Sequence, residues 1–170
     1  MIVVRRKPGN PSQGLLVFDG RVFRCALGKG GTSSRKREGD GATPIASMRL
    51  LSGYFRRDGV VARRTNLPLA PIHARLGWCD APADRNYNRP VTLPYAASHE
   101  TMRRKDRLYD ICIVLDWNIT PRHRGGGSAI FMHLARPGYL PTEGCVALAL
   151  RDMARLLPHL SRHTVVKVVG

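Results

Sequence analysis

Cys145 and His133 are the residues of this chain whose types and spacing could do nucleophilic chemistry. Both lie in residues 125–150, GGGSAIFMHLARPGYLPTEGCVALAL. A cysteine attacks as its thiolate, and a free thiol is mostly protonated at neutral pH. It therefore needs a base or a favourable field, and a histidine within hydrogen-bond reach supplies both. Pro137, Gly138 and Pro141 lie between the two and can turn the chain back, so that the two segments meet. Gly144 permits a sharp corner, and the backbone N–H groups of Gly144 and Cys145 could stabilise a tetrahedral oxyanion. The plainer alternative, a buried cysteine and a satisfied core histidine, stays open at this point.

Other chemistries fit less well. Cys25, Cys79, Cys112 and Cys145 are widely spaced with no C-x-x-C, which argues against a zinc ribbon and a disulfide scaffold. No H-E-x-x-H occurs among the histidines, so neither a metal nor another cofactor is expected. GKGGTSS at residues 28–34 lacks the phosphate-loop pattern, because Gly30 follows Lys29 where Ser or Thr is required. Residues 28–42 read instead as a flexible basic loop with Arg35, Lys36 and Arg37 exposed.

The elements that must position the pair are mostly strands. Residues 15–18 and 21–27 flank Asp19-Gly20, a strong hairpin signal, with Phe23, Cys25 and Leu27 on one face. Residues 48–55 are short and β-prone, 56–66 basic and polar, and 67–73 extended because of Pro68 and Pro71. Residues 77–90, GWCDAPADRNYNRP, form a long loop that is either a functional wall or a connector held by Trp78. Residues 98–107 read as a short helix or a loop.

Residues 108–118 alternate as a strand, with Tyr109, Ile111, Ile113, Leu115 and Trp117 on one face and Asp110, Cys112, Val114 and Asp116 on the other. Residues 128–134 form the next strand, with Ala129, Phe131 and His133 on one face. Ala149, Leu150, Met153, Leu156, Leu157 and Leu160 recur at helical spacing, Pro158 should end that helix, and residues 164–169 are a terminal strand.

The chain has 170 residues, room for a single domain over 1–170, with residues 1–14 a loose N-terminal segment. Lys and Arg total 28 against 12 acids, a net charge of +16 that favours anionic polymers: nucleic acid, cell-wall polymers or anionic membranes. No apolar run approaches the roughly 18 residues of a membrane span. Residues 1–7 run apolar then basic, the reverse of a secretory signal, so no signal peptide is visible.

The segment from Ser128 to Leu148 resembles the L,D-transpeptidase (YkuD-like) catalytic domain. That family carries a histidine on a strand, a loop, and then [ST]-H-G-C before an apolar residue. The matches here are His133, Thr142, Gly144, Cys145 and Val146, with Thr43-Pro44 similar to the family's upstream Thr-Pro. Glu143 stands at the second histidine, Leu134 and Ala147 replace residues common in the family, and the loop is short, marking a divergent branch.

The resemblance implies a mainly β fold with one or two helices, a YkuD-like β-sandwich. It implies that Cys145 attacks a peptidoglycan stem peptide, often at meso-diaminopimelate, and forms a thioester. His133 would move the protons, and the carbonyl of Leu134 would orient its ring. Glu143, Thr142, Arg136, Ser128 and His99 would form the substrate wall. Glu143 would turn from sulfur toward a substrate ammonium or an arginine such as Arg136 or Arg151, because a second negative charge beside the thiolate would raise the thiol pKa. Donor and acceptor stem peptides are the implied partners, nucleic acid is not expected, and the implied location is the periplasm or cell envelope, with the cytoplasm open. Rival readings are a hydrolytic L,D-carboxypeptidase or amidase, and a non-catalytic module that binds an anionic polymer.

Overall fold

A computed structural model describes residues 1–59 and 64–170. Part of the basic segment 56–66 therefore lies outside the described residues. The chain opens on β1 (Ile2–Lys7), β2 (Asn10–Phe18) and β3 (Arg21–Ala26). Asp19 and Gly20 both have positive φ, 50° and 71°, which gives the tight reversal between β2 and β3.

The expected loose N-terminus is instead β1, a central strand. It runs parallel to the last strand, β14 (Val165–Val169), and antiparallel to β2. Ile2 and Val4 are fully buried. Burying such side chains is worth about 1.5–3 kcal/mol each, which outweighs the looseness suggested by PGNPSQG.

A small parallel pair follows, β4 (Thr32–Ser33) with β5 (Thr43–Pro44), then the long β6 (Ser47–Phe55) and short β7 (Leu69–Pro71). The next three strands, β8 (Leu76–Cys79), β9 (Arg89–Thr92) and β10 (His99–Thr101), make a separate antiparallel sheet. Residues 98–107 thus contain a strand and no helix, because Trp78 and Cys79 supply pairing partners that local sequence does not reveal. The chain ends with β11 (Ile111–Leu115), β12 (Phe131–Leu134), β13 (Val146–Leu148), α1 (Leu150–Leu156), a 3-10 turn over Leu157–His159 and β14. Pro158 sits inside that turn and ends the α-helix, as expected.

The large sheet runs β11-β12-β13-β3-β2-β1-β14-β6-β7, and β11 also pairs with β6. That pairing closes the sheet on itself, leaving β7 as the outer strand. One core draws Leu16, Cys25, Leu50, Ile113, Met132, Leu148 and Val166 from the closed sheet, together with Met153 and Leu156 of α1. A second core lies on the opposite face of β11 and β12, where Cys112, Val114, Ala129 and Phe131 meet Trp78, Met102 and Cys145. The site is built around this second core.

Tyr109 departs from the expected alternation. It joins Cys112 and Val114 in the second core rather than Ile111 and Ile113 in the first. Arg107 has φ +62° and the buried Asp110 carboxylate is held by the Arg107 guanidinium at 2.9 Å. The turn those residues form precedes β11, so strand parity does not reach back to Tyr109.

Candidate active site

The β12–β13 register fixes the central pair. Met132 lies opposite Val146 in a parallel ladder, which puts Cys145 beside Phe131. His133 follows Phe131 by two residues and so shares its face, roughly 6–7 Å along the strand. Both side chains line a cavity of about 290 Å³. Cys145 is 6% and His133 5% exposed.

Gly144 makes the corner before the thiol. Its φ is +134°, and a Cβ there would come within 2.8 Å of the Ala42 carbonyl oxygen. Any side chain would push the corner off its support. Thr142 clamps the same corner: its hydroxyl donates to the Cys145 carbonyl at 2.7 Å and accepts from the Gly144 N–H at 3.1 Å. The Gly144 amide is therefore engaged within the corner. For the Cys145 N–H no acceptor is found among the described residues.

The loop expected to be flexible supports this corner from below. Lys29 N–H donates to the Thr142 carbonyl and Thr142 N–H to the Leu27 carbonyl, while Gly28 N–H donates to the Thr43 hydroxyl. A Cβ on Gly28 would fall 2.1 Å from the Gly41 carbonyl oxygen. Lys36 is buried rather than exposed, donating to Asp40 and to the Arg37 carbonyl. Backbone-to-backbone packing of glycines orders residues 28–43; composition alone reads as looseness.

The proton positions at the pair follow from hydrogen-bond roles. His133 Nδ1 lies 2.8 Å from the Leu134 carbonyl oxygen. A carbonyl can only accept, so Nδ1 carries the proton and Nε2 keeps its lone pair for base work. Burial pushes His133 down to about 4, against a partial upward pull from that carbonyl. The thiol of Cys145 donates to the Ala129 carbonyl at 3.2 Å and accepts from the Phe131 N–H at 3.4 Å. Burial, aided by the Glu100 charge, pushes the thiol up to about 12. At neutral pH the site therefore holds a neutral thiol and a neutral imidazole, not an ion pair. Any attack by this sulfur would have to be accompanied by proton transfer.

Tyr109 braces the imidazole edge-on, with ring centroids 5.1 Å apart. Its hydroxyl donates to Glu100 at 2.6 Å, and Arg104 stacks over its ring at 5.2 Å. Arg104 is itself held by Asp106, through Nε at 2.8 Å and Nη2 at 2.6 Å.

Carboxylates outnumber guanidinium groups on the cavity wall, Glu38, Asp80, Glu100 and Glu143 against Arg104 and Arg136, in a strongly basic protein. Glu38, Asp80 and Glu100 line the cavity, and among the described residues none has a cation within ion-pair distance. Asp80 Oδ1 is buried with no hydrogen-bond partner. Burial raises the Glu100 carboxyl above its ordinary value, against the lowering effect of the Tyr109 hydroxyl.

The remaining sequence candidates fall in different places. Ser128 and Arg136 line the cavity, Ser128 buried and Arg136 reaching toward Asp106 at 3.7 Å. His99 is not brought to it. Its Nδ1 bonds the Ala97 carbonyl and its ring meets Tyr95, while its neighbour Glu100 takes the cavity side. Strand alternation on β10 separates the two. Glu38, Asp80, Glu100, Arg104 and Tyr109 were not singled out from sequence. Asp80, within GWCD of the expected functional wall, carried the nearest signal.

Glu143 stands on the rim and pairs with Lys29 at 2.9 Å, rather than with Arg136 or Arg151. Both side chains are largely exposed, 59% and 72%, and such pairs are worth about 0–1 kcal/mol. Glu143→Gln is expected to leave acyl-transfer rate and acceptor preference within about twofold. A larger loss in a steady-state acceptor titration would return Glu143 to the substrate wall.

With this geometry in place, the match to a family model has a structural meaning. Residues 10–168 match the YkuD model, the L,D-transpeptidase catalytic domain. The chain belongs to this family, whose members in general act on peptidoglycan at the cell envelope. No curated protein and no solved structure matches the chain. Among the described residues no helix is long and apolar enough to cross a membrane.

Proposed function

We propose that the protein is a cysteine L,D-transpeptidase that acts on peptidoglycan stem peptides in the cell envelope and forms cross-links at diaminopimelate through a thioester. The observation that carries this reading is the pair itself: a buried thiol and an Nδ1-protonated imidazole face one cavity at a glycine corner. The donor carbonyl enters the cavity and Sγ attacks it. The thiol proton passes to His133 Nε2 as the C–S bond forms. The developing oxyanion meets the Cys145 N–H. The imidazolium then protonates the leaving amine, the C–N bond breaks, and a thioester remains. An acceptor amine attacks the thioester and gives its proton to His133; as the new C–N bond forms the C–S bond breaks, and the imidazolium returns the proton to sulfur, restoring the thiol.

The acid wall supports a cationic feature on the substrate. An ammonium entering between Glu38, Asp80 and Glu100 would meet carboxylates that have no ion-pair partner among the described residues, Glu100 and Glu38 being held only by tyrosine hydroxyls. The side-chain amine of diaminopimelate is such a group.

Incubation with tetrapeptide muropeptides, read by mass spectrometry, tests the reading. Cross-linked dimers are expected. Trimmed monomers alone would favour the hydrolytic alternative, and no turnover would sink both. Acetylating the diaminopimelate amine on the donor should lower kcat/KM by roughly 10- to 150-fold, the loss expected when a charge-assisted bond of roughly 1.5–3 kcal/mol is removed. An unchanged value would remove the ammonium role of the acid wall.

A further inference from the structure

Ala129 is the residue whose carbonyl holds the thiol proton, and its conformation is unusual for an alanine. Its φ is +52°, in the left-handed region that costs an L-residue roughly 1–2 kcal/mol. Something must over-determine it. The Ala129 N–H donates to Asn88 Oδ1 at 3.0 Å.

Asn88 lies far away in sequence, immediately before β9, and is 1% exposed. Its side-chain amide is fully used. Oδ1 accepts from the Trp78 indole N–H at 3.0 Å and from Ala129. Nδ2 donates to the carbonyls of Trp117 and Asn118, at 3.1 and 2.9 Å. A neutral carboxamide offers two donors and two acceptor positions, so the four bonds match its capacity. Asn88 itself has φ +55°, which asparagine tolerates better than most residues. Its backbone N–H donates to the Cys79 carbonyl at 2.8 Å.

These bonds tie three separate segments to one side chain: the β8–β9 hairpin, the turn after β11, and the residues entering β12. The last of these carries both groups that touch sulfur, the Ala129 carbonyl and the Phe131 N–H. We infer that Asn88 is a positioning residue for the nucleophile: by holding the Ala129 N–H it fixes the left-handed turn at Ala129, which aims the next peptide's carbonyl, the one that holds the Cys145 thiol, and so sets the sulfur's resting direction. Asn88 touches neither the thiol nor the cavity lining, so it acts through Ala129 and, by way of the Trp78 indole packed on Phe131, through the second group that touches sulfur. This deepens the proposed acyl transfer and rests on Cys145 as its nucleophile.

The thiol S–H stretching band provides a test, because its frequency falls as the hydrogen bond it donates strengthens. The band of Cys145 is isolated in the full chain as a Raman difference against Cys145→Ala. Asn88→Gly removes all four side-chain bonds while accepting the positive φ. It should move the band to higher frequency and slow acyl-enzyme formation roughly 10- to 100-fold, the scale of a misplaced reacting group. Asn88→Asp keeps the oxygen that accepts from Ala129; its second oxygen, buried against the Trp117 and Asn118 carbonyls, is expected to hold a proton and donate to one of them, so a single bond is lost, the band should stay near wild type and the rate within about threefold.

An unmoved band in Asn88→Gly overturns the inference whatever happens to melting temperature or rate. So does a moved band with an unchanged rate. If Asn88→Gly does not fold, Asn88→Asp decides: an upward-shifted band overturns the idea and an unmoved one upholds it. The band is readable without substrate. Absence of any acyl-enzyme in the wild type would therefore refute the proposed function separately.

Discussion

Cys145→Ala should abolish acyl transfer while leaving the fold in place. Among the described residues the sulfur is the one strong nucleophile lining the cavity, for Cys25, Cys79 and Cys112 are buried outside its wall. Removing it leaves no group that can form the thioester, so the loss should be on the order of 10⁴-fold or more, as for other nucleophile deletions. The structural cost is small by comparison. The variant loses one thiol donor to Ala129 and one acceptor for Phe131, and a net hydrogen bond is worth about 1 kcal/mol. For a domain of this size, the loss of both lowers Tm by about 4–8 °C. Two measurements separate the effects: intact-mass detection of the acyl adduct after mixing with muropeptide, and thermal melting. A variant that keeps its activity would remove every enzymatic reading. A variant that loses activity with its fold would leave the assignment to His133.

How much of this could be read from the residues alone divides along a physical line. Patterns that depend on near neighbours were legible. Asp19-Gly20 fixed a hairpin, and alternation through residues 128–134 put Ala129, Phe131 and His133 on one face. The glycine before Cys145 marked a corner that the packing of Ala42 makes obligatory. What failed depends on contacts distant in sequence. β1 looked loose because its parallel partner, β14, lies at the other end of the chain. Lys36 looked exposed because Asp40 and the glycine loop cover it. His99 reads as part of the substrate wall, yet it is Glu100 that meets the cavity, because nothing local says which face of β10 does so. Tyr109 was placed on the wrong face because a left-handed Arg107 and the Asp110 ion pairs form a turn before β11. Asn88 carries no local signal at all, since its worth lies in joining three segments.

The second large effect is expected at His133, and its pH dependence distinguishes a base from a packed core histidine. Burial holds the imidazole at about 4, below the ordinary 6.5, so Nε2 is free to accept a proton at any pH well above 4. The thiol, pushed up to about 12, does not ionise by itself in that range. Wild-type kcat/KM should therefore rise as His133 loses its proton and then stay level through neutral pH. His133→Gln removes the proton acceptor, and positioned proton transfer contributes typically about 10²–10⁴-fold. The residual rate should then follow hydroxide, rising about tenfold per pH unit because the thiolate fraction does so below its pKa. A variant with the wild-type profile, merely scaled down, would make His133 a structural residue. Stability moves in its own window. The folded-state pKa lies below the unfolded one, so the native state gives up a proton the unfolded chain keeps. The stability tied to a neutral His133 is present above 6.5 and is lost as pH falls toward about 4. Glutamine has no such proton, so melting of His133→Gln should be less acid-sensitive across that interval, even as its activity collapses.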